Sequence, residues 1–168
     1  MIDYGDIKIS YSIGKKIKNL QSLTQECFSI KNIGKYSANK YTGGCGTAAL
    51  SMLTGEPPSK VDKHLPNHLR KGEYWTDKAI TEYLKKRKFG VYALDIKSII
   101  GSKGFITNPI KHDHVLLIGQ WVYEEEGTWC IVNNGARYHN FKMEPLTLLE
   151  FINNPIDSVY IITHKNWE

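Results

Sequence analysis

Apolar and polar positions along the chain change their period near residue 90. Residues 6–13 alternate apolar with polar and predict a short strand that Gly14 ends. Leu20, Leu23 and Cys27 predict a helix within 17–30. From Lys31 to Gly44 the chain is polar and without period, a loop of about 14 residues, long enough to carry function. The segment opening at Cys45 is rich in helix formers and apolar nearly all round, which predicts a buried central helix. Gly55 is suited to a left-handed cap there, and Pro57-Pro58 enforce the break. Residues 59–70 predict a second helix disturbed by Pro66. Thr76 predicts the N-cap of a third running to Lys88, with Trp75 and Ile80 as a hydrophobic staple and Ile80, Tyr83 and Leu84 inward. Beyond Gly90 the period becomes two, with strands at 91–96, 104–107, 114–121, 128–133 and 157–163. A polar turn at 124–127 makes 114–133 an antiparallel hairpin, and Pro145 begins a short helix through Leu148, Leu149 and Ile152. Helices first and sheet second is the order of an α+β domain.

Length sharpens this picture. A chain of 168 residues, 41% of them hydrophobic, forms a single domain, 1–168, and needs no staples to fold. It contains no run of about 18 apolar residues, so no membrane span is expected. The first residues lack the basic and apolar regions of a signal peptide, which points to the cytoplasm. Cys27, Cys45 and Cys130 cannot all pair within one chain, so free thiols are expected. The net charge of +5 is spread in small groups of lysines, which reads as a solvated basic surface rather than a nucleic-acid site.

The chemistry concentrates at Gly43-Gly44-Cys45-Gly46-Thr47. A cysteine in the first turn of a helix meets unpaired backbone N–H groups and the positive end of the helix dipole, both of which favour thiolate. Flanking glycines permit a tight turn and close approach of a substrate backbone. Such a nucleophile needs a base. His112 and His114 precede the apolar run Val115-Leu116-Leu117-Ile118, and the following strand ends in Asn133-Asn134-Gly135. An asparagine beside an imidazole fixes its orientation and tautomer. With a symmetric turn at 124–127, His114 stands opposite about residue 137. Asn133 then needs a strand offset to reach it, and His112 or Asn134 are the substitutes. His64 and His68, four apart across Pro66, lack the glutamate of a zinc helix, and no metal or other cofactor is expected.

Together these segments resemble papain-like cysteine peptidases, with Cys45-Gly46-Thr47-Ala48-Ala49-Leu50 most similar to the peptidase C39-like group. His114-Val-Leu-Leu-Ile-Gly resembles that clan's histidine strand and Thr128-Trp-Cys-Ile-Val-Asn133 its asparagine strand; the resemblance spans about residues 37–135. It implies a papain-like fold, with amino-terminal helices on a mainly antiparallel sheet. It also implies Cys45 as nucleophile, His114 as base and acid, and Asn133 as orienting residue. The backbone N–H of Cys45 and the side chain of Asn39, where the family commonly has glutamine, would hold the oxyanion. Cys27 and Cys130 are read as packing residues. The implied activity is hydrolysis of a peptide, isopeptide or amide bond in a protein or peptide substrate. The alternatives are a deamidase or transglutaminase-like effector, phage or bacterial, acting in another cell, and an inactive interaction module with the same fold. A metal site from His112, His114 and Cys130 is a further, minor reading.

Overall fold

The computed structural model describes residues 30–66, 75–93, 115–122, 126–133, 136–145 and 156–164. Helix α1 spans Gly44–Thr54. Its alanines, leucines and methionine carry little helix penalty. Every residue from Gly46 to Leu53 is buried, so this is the central helix that its all-round apolarity predicts. Gly55, at φ +81°, closes it by donating its N–H to the Ser51 carbonyl. Helix α2 covers only Pro58–Asp62. The expected extension ends early, with Lys63 and His64 in a turn before Pro66, whose ring disfavours helix in the residue ahead of it. Helix α3, Asp77–Lys86, begins at Thr76, whose Oγ1 accepts from the Ala79 N–H at 3.1 Å. Asp77 in its first turn and Lys85 and Lys86 in its last complement the dipole. Trp75, Ile80, Tyr83 and Leu84 are buried, as the staple and the helical spacing predict.

The strands are β1 (Gly90–Ala93), β2 (Val115–Val122), β3 (Glu126–Asn133), β4 (Ala136–His139), β5 (Lys142–Pro145) and β6 (Ile156–Thr163). They form one sheet in the order β1-β6-β2-β3-β4-β5, with every described pairing antiparallel. The β2–β3 hairpin is present, but its register is earlier than a turn at 124–127 implies. Leu116 stands opposite Val132 and Val122 opposite Glu126, so the start of β2 is level with the end of β3. No offset is then needed to bring residues flanking Val115 near Asn133.

The β4–β5 hairpin has no counterpart in the sequence reading. Asn140 and Phe141, at φ +52° and +66°, make its two-residue turn. Phenylalanine rarely takes that conformation, so the turn carries half of the usual signal. Pro145, expected to open a helix, is instead the last residue of β5. The strands expected at 6–13 and 104–107, the helix at 17–30 and the rest of the helix after Pro145 lie outside the described residues.

Helix α1 packs on β3 and β4 and is flanked by α2, while α3 packs on β1 and α1. Val115, Leu117, Trp129, Ile131 and Ile162 meet Ala48, Ala49, Leu50 and Met52 in the core between them. By alternation Leu116, Ile118, Cys130, Val132 and Ile161 occupy the second face, and they are buried as well. Among the described residues, three α-helices packed against a six-stranded antiparallel sheet give an α+β architecture. No helix among the described residues is long and apolar enough to cross a membrane.

Candidate functional site around Cys45

Gly43 occupies the N-cap of α1 and has no side chain with which to cap it. A carboxylate from α2 instead holds the turn that leads into the helix. Asp62 accepts the Thr42 N–H and the Gly43 N–H, each at 2.9 Å, and the Thr47 hydroxyl at 2.8 Å. Thr47 Oγ1 in turn accepts the Trp75 indole N–H at 3.0 Å. The Trp75 carbonyl accepts the Trp129 indole N–H at 2.9 Å, and the Trp129 backbone N–H donates to Cys45 Sγ at 3.2 Å. The mouth of α1 is thereby tied to α2 on one side and to β3 on the other.

The glycines of this segment are explained by the indole. A Cβ on Gly46 would lie 2.5 Å from Trp75 Cδ1, and one on Gly43 2.6 Å from Trp75 Nε1. Room expected for a substrate backbone is filled by Trp75 at Gly46 and by Thr47, Leu65 and Trp75 at Gly43. Gly44, at φ +53°, supplies the tight turn into the helix.

Cys45 is half-buried and packs against the core. Burial pushes its thiol pKa up. The N–H groups of Trp129, Cys45 and Gly46 and the positive charge of Arg137 pull it down, but burial prevails. The helix-terminal N–H groups thus act in the expected direction but do not outweigh burial. Arg137 reaches this electrostatic neighbourhood from β4, where it pairs with Glu144 at 2.7 Å. His139, also on β4, is held down to about 4 by burial and by Arg137, with Glu144 opposing, so its imidazole is neutral.

Asn133 ends β3 and is 5% exposed. Alternation puts it on the face of Trp129 and Ile131, the face that carries Cys45. It lies four residues beyond Trp129, about 13 Å along the strand. Asn39 is exposed in a 3₁₀ turn, Ala38–Lys40, and its Oδ1 accepts from the Ser37 hydroxyl. That turn packs against α1.

His114, His112, Asn134 and Cys27 lie outside the described residues. His114 immediately precedes β2, whose Val115 and Leu117 face α1. The start of β2 is level with Asn133, four residues along the sheet from Gly119, which pairs with Trp129 beside the sulfur. Cys130 is buried on the second face, with its thiol 3.9 Å from Gln120 Oε1. No group of three or more His, Cys, Asp or Glu side chains suited to a metal occurs among the described residues.

Asp62 has no place in the sequence patterns above, and Thr47, Trp75 and Trp129 enter them with no part assigned at the site. One signal was available: a buried helix that opens on glycines must borrow a cap from elsewhere. A cavity of about 340 Å³ opens beside the same loop, between Tyr41, Thr42, Ser59, Asp62 and Lys63. Compared with protein-family models, with curated proteins and with solved structures, the chain matches none.

Proposed function

We propose that the protein is a cysteine hydrolase of papain-like type that cleaves a peptide, isopeptide or amide bond. The observation that carries this reading is the placement of Cys45. It stands in the first turn of the central helix, with its sulfur on the Trp129 N–H of β3, the strand that ends in Asn133, level with Gly119 of β2. In the proposed reaction the proton of Cys45 passes to His114 and the sulfur forms a bond to the substrate carbonyl carbon. The backbone N–H of Cys45 and Asn39 stabilise the oxyanion. The carbon–nitrogen bond breaks as the imidazolium protonates the leaving amine. Water, deprotonated by the same imidazole, then displaces the thiolate and releases the acid. Asn133 orients the ring.

The test is intact mass after exposure to an electrophilic peptide or ubiquitin-like probe. A single adduct is expected on the wild-type chain and none on Cys45→Ala. An unmodified wild type, or an adduct that persists in the variant, refutes the assignment.

The upward push on the thiol favours a second reading, an interaction module without catalysis. The two are separated by the pH dependence of Cys45 alkylation. An enzyme is expected to show a midpoint well below about 8.5, because an imidazolium beside the sulfur favours thiolate.

A further inference from the structure

Four side chains around the sulfur form a continuous circuit. Asp62 holds Thr47, Thr47 holds the Trp75 indole, the Trp75 carbonyl holds the Trp129 indole, and the Trp129 N–H reaches Cys45 Sγ. Thr47 is fully buried, Trp75 is 2% exposed and Trp129 4% exposed, so water cannot readily replace these bonds. Thr47 stands two residues beyond Cys45, on the opposite side of the helix. The circuit therefore clasps the mouth of α1 from both sides, and Gly43 and Gly46 let the Trp75 ring lie against it.

We propose that this circuit is a latch: Asp62, Thr47, Trp75 and Trp129 seat the Cys45 sulfur on β3 and shield it, with Thr47 and Trp75 as its positioning residues. The proposal rests on the reading of Cys45 as the reacting group for its catalytic meaning, but not for its test. Seating does two opposed things. It supplies an N–H donor that favours thiolate, and it excludes the water that would favour thiolate more. Among the described residues, the charged groups at the site are Asp62 from α2, itself part of the latch, and Arg137 from β4. Loosening it lets water reach the sulfur, so reactivity rises while alignment is lost.

The experiment is site-resolved alkylation of the full-length chain by iodoacetamide at pH 8, with mass mapping of each cysteine. Thr47→Val removes the hydroxyl that joins Asp62 to Trp75. Trp75→Phe removes the indole N–H together with part of the ring and keeps the backbone carbonyl, so it serves if the valine variant does not fold. Both are expected to label Cys45 on the order of tenfold faster than wild type. Thr47→Ser, which restores the hydroxyl, should stay within about twofold of wild type. Cys130, buried on the other face of the same strand, is the internal control and should not change. An unchanged Cys45 rate overturns the latch, and so does a parallel rise at Cys130, which would mean general loosening of the fold. Because no substrate is involved, a failed latch leaves the hydrolase reading to its probe experiment, and an inert probe leaves the latch to this one.

Discussion

Gly46 shows how much of this site is decided by a missing methyl group. The closest atoms to its absent Cβ belong to Trp75, at 2.5 Å for Cδ1 and 3.0 Å for Cγ, and the indole is only 2% exposed. Gly46→Ala is therefore expected to overpack the helix mouth and cost about 1–3 kcal/mol, read as a lower urea midpoint at unchanged slope. A neutral substitution would mean that Trp75 can move aside, and would weaken the account of the latch with it. The thiol of Cys45 is a balance at the same scale. Backbone N–H groups and Arg137 favour the charged form, burial opposes it, and burial wins.

Among elements, a second carboxylate besides Asp62 joins α1, α2 and α3. Glu56, just after α1, accepts the Tyr83 hydroxyl at 3.0 Å, the Arg87 guanidinium, and Lys60 at 3.2 Å. Arg87 also lies 3.5 Å over the Tyr83 ring. Burial pushes the Glu56 carboxyl up, but its bonds to Arg87, Lys60 and Tyr83 outweigh burial and hold it below its ordinary range. Glu56→Ala leaves the Tyr83 hydroxyl and Arg87 without this acceptor. It is expected to cost about 1–3 kcal/mol, with less than additive loss in a double-mutant cycle with Arg87→Ala. Full additivity would show that the carboxylate and guanidinium contribute independently. The hairpin of β2 and β3 works at the same scale, because a shift of its register by one residue would turn Asn133 away from the face of Cys45.

For the molecule as a whole, acid acts through two groups with the same sign. The folded His139 titrates near 4 against an ordinary 6.5, so between these values the unfolded chain binds more protons and stability falls as pH falls. Glu56, held below 4.5 in the fold, contributes stability that is present above that value and lost below it. Urea midpoints are expected to decline from about pH 6.5 downward and more steeply below 4.5. His139→Gln should flatten the upper part, whose full size is at most about 3 kcal/mol. An unchanged slope in that variant would assign the upper decline to other groups.

The described part of the fold was legible wherever one local pattern sufficed. The all-round apolarity of α1, the Thr76 cap of α3, and the alternation in β2, β3 and β6 each state their element within a few residues. The β4–β5 hairpin was not legible, because its turn places a phenylalanine where glycine is the usual signal and its strands are four residues each. Cys45 stood out because cysteine between glycines at a helix start is a local chemical pattern. Its surroundings did not stand out. Trp129 reaches the sulfur from 84 positions away, and Asp62 and Trp75 reach the mouth of its helix from 17 and 30; no local spacing records such contacts. The chain by itself determined where helices and strands form and which sulfur opens the central helix, since these depend on neighbouring residues. Only the tertiary structure decided which groups surround that sulfur and whether burial or hydrogen bonding sets its charge, since both depend on distances that folding alone creates.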